Sequence, residues 1–398
     1  MARWQRAAPL NLTLLLPRVF STARSERVEV KCGSGGHVTI DLLNMSEAPS
    51  VDMPLLVHLP PFPSLSGSPS PLPTCFGALP VANINYRWRP FSKPAGEDDH
   101  STPLHWPTPV HDAAVAFTWL VANLSPPGNT RRDIYVYGSY LGASLAASLA
   151  LTESHSHARF GVRGFMAYNG IYNWTMFLPD HRINKPRRSK VTTSTPSLAE
   201  GSHLHTLQEQ IPALFNLPSN LFDPFASPSL FFHSPGLLVP QSFHMTVEQA
   251  ALLDSMTSDE EVPFGSIKAP RKSHLVFPPR NSTLKIPETL LLFDSAPMLT
   301  RKNIVESSTN RRKKRAAAHS FKAQATELSV LMRRSVDGVE LAERRKWDDE
   351  IHNFVNEAAT RVQLVETGPE KDHVQLSESG QDAIASWMQD RLNKLQSS

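Results

Sequence analysis

The stretch from Asp133 to Ala146, DIYVYGSYLGASLA, constrains this chain more than any other. Ile134 and Val136 among aromatic neighbours predict a buried strand, and the small and apolar residues from Leu141 onward predict a helix. Between the two lie only Gly138, Ser139, Tyr140, Leu141 and Gly142. A strand that passes into a helix so abruptly makes a strained turn with no space for bulky neighbours, and the two glycines meet that requirement. Such a unit commits the chain to a parallel sheet with helices on its faces. The turn puts Tyr140 at its apex.

The same rhythm recurs along the chain. Further strands are predicted at Val38 to Leu43, Leu55 to Leu59, Val81 to Tyr86, Val162 to Tyr168, Thr289 to Phe293 and Arg361 to Glu366. Apolar residues at helical spacing predict helices over Val110 to Leu124, Leu141 to Leu151 and Gly380 to Leu395. With 398 residues, 40% hydrophobic and 19% charged, the chain can bury a large core. The net charge of +3 gives no reason to expect nucleic acid as the main partner. Cys32 and Cys75 are the 2 cysteines, too few for a disulfide framework and without metal-ligand spacing.

Two segments break the rhythm. From 173 to 285, clusters such as PRRSKVTTSTPS and SPSLFFHSPG predict an inserted cap or lid, partly disordered. A second insertion, 305–359, carries the basic run RRKKR and a charged helix through ELAERRKWDDEIHNFVNEAA. The pieces around them that keep the rhythm are 26–172, 286–304 and 360–398. Residues 1–25 contain Arg3, Arg6, Arg18 and Arg24 but no acidic residue, the composition of a mitochondrial transit peptide. No apolar run elsewhere reaches the roughly 18 residues of a membrane-spanning helix.

Four landmarks in chain order make the sequence resemble the hormone-sensitive-lipase-like esterases of the α/β-hydrolase superfamily. They are Leu55 to Phe62 (LLVHLPPF), Asn85 to Phe91 (NYRWRPF), the Gly138 to Gly142 turn, and the late pair of Leu292 to Met298 (LFDSAPM) with Lys371 to Val374 (KDHV). The resemblance implies an α/β-hydrolase fold, a mostly parallel central sheet flanked by helices. It also implies a nucleophile elbow at Gly138 and Gly142 with Tyr140 at the nucleophile position and Ser139 beside it. His58, Leu59, Pro60 and Pro61 take the place of the loop that supplies oxyanion N–H groups. His373 matches the catalytic histidine, and Asp294 falls two residues before the acid position, which is Ala296. The pair Tyr86 and Arg87 matches a segment that is structural in the family.

Where the resemblance implies chemistry, the residues withdraw it. Proline has no N–H to donate, so Pro60 and Pro61 cannot form an oxyanion hole. A phenol ionises near pH 10 and is bulkier than a serine hydroxyl. The expectation is therefore a catalytically degenerate hydrolase fold in the mitochondrial matrix, retained to bind a small ester or hydrophobic ligand or to play a structural role. Through 305–359 it would meet a protein or ribonucleoprotein partner. The alternative is an active, atypical carboxylic-ester hydrolase using Ser139 or Tyr140 with His373 as base and Asp294 as orienter. Neither reading requires a metal or a cofactor.

Overall fold

The computed structural model describes residues 25–33, 36–45, 53–63, 70–88, 104–178, 201–235, 276–295, 319–344, 356–371 and 373–397, with a few isolated positions besides. The expected transit peptide, all but its last residue, and the RRKKR run lie outside the described residues.

Eight strands form one sheet: β1 (Ser25–Lys31), β2 (His37–Leu43), β3 (Leu55–Leu59), β4 (Val81–Asn85), β5 (Arg132–Ser139), β6 (Phe160–Tyr168), β7 (Glu288–Ser295) and β8 (Val362–Pro369). Their spatial order is β1-β2-β4-β3-β5-β6-β7-β8. Pairing is antiparallel on both sides of β2 and parallel elsewhere, so β2 alone runs against the rest. All seven strands expected from the sequence are present. The eighth, β1, carries no strand signal because SERVEVK is an edge strand with one solvated face and little apolar content.

The sheet is covered by α1 (Thr108–Leu124), α2 (Leu141–Glu153), α5 (Phe321–Ser335) and α6 (Glu378–Ser397). Two shorter helices, α3 (His203–Glu209) and α4 (Ile211–Phe215), belong to the segment expected as a cap. Every residue of α2 from Leu141 to Leu151 is buried, which explains why its sequence shows no polar face. Within the stretch expected as a charged insertion, α5 lies between β7 and β8 in the chain and packs on both through Phe321, Ala325, Leu328 and Met332. The charge pattern predicts the helix later, through 340–359. Of that range Leu341–Arg344 and Glu357–Arg361 are helical, and 345–355 lies outside the described residues.

Buried Gln324 couples α5 to the loop after β6. Its Oε1 accepts from the N–H groups of Tyr172 and Asn173 at 3.0 and 2.8 Å, and its Nε2 donates to the Asn173 carbonyl at 3.1 Å. The segment that carries α3 and α4 joins the sheet's surroundings through aromatics. Phe215 lies against Trp88, Trp106 and Trp174 with ring centroids 5.0–5.8 Å apart, and the Trp88 indole donates to the Leu214 carbonyl.

On the α6 side of the sheet runs a row of polar residues in cross-strand register: Arg27, Asp41, Asn83, His58 and Tyr137. Arg27 donates to Asp41 at 2.6 Å, Asn85 reinforces the same carboxylate at 2.8 Å, and His58 stacks on Tyr137 at 5.5 Å. The Asp41 carboxylate is satisfied by these donors, whereas His58 Nδ1 has no hydrogen-bond partner among the described residues.

Candidate functional site

β5 turns into α2 at Tyr140, whose φ of 48° and ψ of −113° are rare for a residue with a side chain. Held strain of this sort marks a turn fixed by its surroundings. Two contacts make the glycines obligatory. A Cβ at Gly138 would stand 2.3 Å from the Gly142 carbonyl oxygen, and one at Gly142 would stand 2.3 Å from the carbonyl oxygens of both Leu59 and Pro60. The elbow predicted from Gly138 and Gly142 is thus present, pressed against the end of β3.

The loop that follows β3 points carbonyls, not amides, at the elbow. The Leu141 N–H donates to the Pro61 carbonyl at 3.2 Å, and the Pro60 carbonyl accepts from the Tyr86 hydroxyl at 2.8 Å. Tyr86 therefore anchors the loop from behind. Its neighbour Arg87 is fastened to Asp112 by its backbone N–H at 2.8 Å and by Nη2 at 2.6 Å. His58, grouped with this loop by the resemblance, instead sits inside the sheet against Tyr137 and is fully buried. Leu59 is the last residue of β3, so the loop proper begins at Pro60.

Tyr140 is 0% exposed. Four rings enclose it: Phe62 stacked at 5.7 Å, and Tyr168, His203 and Phe321 edge-on at 5.8, 5.3 and 5.7 Å. Its hydroxyl accepts from Asn169 Nδ2 at 3.3 Å. Burial first, then the nearby Asp294 and Glu370 charges, pushes its ionisation well above the ordinary phenol range. Tyr140 is consequently a neutral phenol at physiological pH. Ser139 is buried on the strand face it shares with Tyr135 and Tyr137, beneath the apex and not at it.

Asp294 joins this network through Asn169. Its Oδ2 accepts from the Tyr168 hydroxyl at 2.6 Å and from Asn169 Nδ2 at 3.1 Å, and its Oδ1 accepts from Thr367 Oγ1 at 2.5 Å. Asn169 Oδ1 in turn accepts from the Asp294 N–H at 2.8 Å. The carboxylate is thereby enclosed by three donors. His373 is exposed, and among the described residues no hydrogen bond or ring contact joins it to Asp294 or Tyr140. The histidine that does reach the apex is His203, at the start of α3. Its N–H donates to Glu370 Oε1 at 2.9 Å, its Nε2 donates to the Lys371 carbonyl at 3.0 Å, and its ring edge meets Tyr140.

The structure therefore gathers Tyr140 and Asp294 at the carboxyl edge of the sheet, sets Ser139 below them and leaves His373 outside. Sequence reading missed Asn169, Tyr168, Thr367 and His203. The first two stand where β6 ends, a location that in parallel sheets borders ligand sites and could have drawn attention. His203 carries no such signal, since only the fold of the segment around α3 brings it there.

A sheet of this order with β2 reversed, and a strained elbow between its fifth strand and the following helix, defines the α/β-hydrolase fold. The chain has that fold. No protein-family model matches the sequence, and no curated protein matches it either. Solved structures similar to it include carboxyl esterase 2 of the fungus Tuber melanosporum (12% identity, 96% of this chain and 88% of that one, TM-score 0.46). An esterase of Pyrobaculum calidifontis follows at 13% identity over 97% and 89% of the two chains, TM-score 0.45. A fungal esterase from Rhizomucor miehei gives 12% identity over 96% and 86%, TM-score 0.47. The fold assignment itself rests on the strand order and the elbow of this chain.

Proposed function

We propose that this chain keeps an α/β-hydrolase fold whose ester-cleaving chemistry has been lost, and that it serves as a binding or structural module. The observation that carries the reading is the Leu141 N–H bonded to the Pro61 carbonyl. In an α/β-hydrolase enzyme the amide after the elbow apex and amides of the loop after the third strand converge on one oxygen position. Here the first is taken by the chain's own backbone, and the second set falls where Pro60 and Pro61 have no N–H. The buried phenol of Tyr140 and the enclosed carboxylate of Asp294 support the same conclusion.

The arginine-rich, acid-free residues 1–25 support a mitochondrial location, and the basic 305–359 segment supports assembly with a protein or ribonucleoprotein. Hydrolysis of short-chain and long-chain p-nitrophenyl esters by purified protein tests the first reading. Background rates in the unaltered chain and in His373→Ala are expected. A rate well above background that disappears in His373→Ala would overturn the reading and return the fold to active esterases. Deleting residues 1–25 is expected to leave the protein in the cytosol, and unchanged mitochondrial localisation would refute the import reading.

A further inference from the structure

At the opposite edge of the sheet from Tyr140, where the parallel strands begin, a cavity of about 400 Å³ is lined by charged side chains of β5, β6, β7 and α6. β5 enters at this edge with Arg132 and ends at Ser139, so the cavity and the elbow lie about 25 Å apart at the rise of a strand. The two are independent places in the fold.

The charge around the cavity is uneven. Arg131 and Arg163 both donate to one oxygen of Asp133, at 3.2 and 3.0 Å, and Lys285 adds a third cation with no carboxylate in ion-pair range among the described residues. On this wall three cations meet one carboxylate. Toward β8 the sign reverses, because Arg391 pairs with Glu288 while Arg361 pairs with both Glu340 and Glu357. The excess positive charge is confined to the Arg131, Arg163 and Lys285 wall.

That wall is also built firmly. Arg163 donates to the carbonyls of His155 and Ala158, the Lys285 N–H donates to the Ser154 carbonyl at 3.0 Å, and the Ser156 N–H donates to the Thr283 carbonyl at 3.0 Å. Behind it the Arg391 guanidinium lies 3.8 Å over the Trp387 ring, and Trp387 meets Tyr135 edge-on at 5.8 Å. The Arg163 side chain and the Lys285 backbone are held in place before any ligand arrives, and Arg131 leans on Asp133, which lowers part of the ordering penalty of binding.

We propose that this cavity binds a small molecule bearing a phosphate group, engaged by Lys285 and Arg131. A phosphate monoester carries close to two negative charges at neutral pH, which matches the local excess. Its oxygens accept the paired donors that guanidinium presents, and the cavity volume admits a molecule of metabolite size.

Calorimetric titration of the full chain with inorganic phosphate, against potassium chloride at matched ionic strength, tests this. Saturable binding is expected, weakened about tenfold by Lys285→Ala and by Arg131→Ala, each removing a charged hydrogen bond. Lys322→Ala, which removes an equally exposed charge far from the cavity, is expected to bind as the unaltered chain does. Circular dichroism verifies that each variant folds, and Arg131, with a side chain 57% exposed, is the safer substitution. Heat equal to that of chloride, or affinity unchanged in both cavity variants, would overturn the proposal.

Discussion

The backbone N–H of Leu141 donates to the carbonyl of Pro61 at 3.2 Å. An amide that could stabilise a developing oxyanion is committed in the resting fold, so under the proposed function a restored nucleophile alone is expected not to restore a site. Tyr140→Ser is expected to leave p-nitrophenyl ester hydrolysis at background. Loss of one oxyanion donor alone lowers an enzyme's rate by about 10²–10³. Brisk turnover from that single change would show that the loop can move aside.

Tyr140 contributes mainly as a packed ring. Tyr140→Phe removes only a 3.3 Å hydrogen bond from Asn169 and is expected to lower stability by about 1 kcal/mol. Tyr140→Ala leaves a cavity among Phe62, Tyr168, His203 and Phe321 and should cost about 3–5 kcal/mol. Urea midpoints of the two variants separate ring from hydroxyl. Equal losses would mean that the hydroxyl, not the ring, carries the contribution.

Asp294 ties three elements together. Asp294→Ala would leave the Tyr168 hydroxyl without its acceptor and take one of two acceptors from Asn169 Nδ2 and from Thr367 Oγ1, a loss of about 3 kcal/mol. Thermal unfolding measures it, and a variant within about 0.5 kcal/mol of the parent would contradict the network.

Gly142 admits no side chain. Gly142→Ala would place a methyl 2.3 Å from two carbonyl oxygens, and insoluble or unfolded protein is the expected result. A soluble variant with an unchanged unfolding midpoint would show that the Leu59 and Pro60 backbone yields freely.

His58 makes stability pH-dependent. Burial lowers its pKa from 6.5 to about 4, and its Nδ1 has no hydrogen-bond partner among the described residues. Below pH 6.5 the unfolded chain takes up a proton that the folded chain refuses, so stability falls as pH falls, levelling near pH 4. The full difference is about 3 kcal/mol. Burial lowers His319 to about 4 as well, and it acts in the same direction. In His58→Phe the acid limb measured by urea denaturation between pH 7 and 4 should flatten, leaving the part due to His319. An identical slope in the variant would remove His58 from the account.

The sheet is legible because its strands are short apolar runs separated by turns, and because the elbow's glycines answer a steric demand that is local in the chain. Gly138 and Gly142 announce the turn, and Pro60 and Pro61 announce that the neighbouring loop lacks donors. β1 is not legible, since an edge strand with a solvated face reads like any polar segment. Nor is the position of α5, because the charges of 340–359 point to a later helix while Phe321, Ala325, Leu328 and Met332 supply the face that packs.

What the sequence determined by itself is the architecture and the lack of N–H groups at Pro60 and Pro61, both set by residues adjacent in the chain. Only the tertiary structure decided which groups surround Tyr140. Asn169, His203, Asp294 and Phe321 come from four separate segments, and no spacing in the sequence encodes their meeting. The same holds for the cavity at the opposite edge, where Arg131, Arg163 and Lys285 converge because parallel strands begin side by side. Local chemistry fixes turns and strands, whereas a site is fixed by which strand ends the sheet brings together.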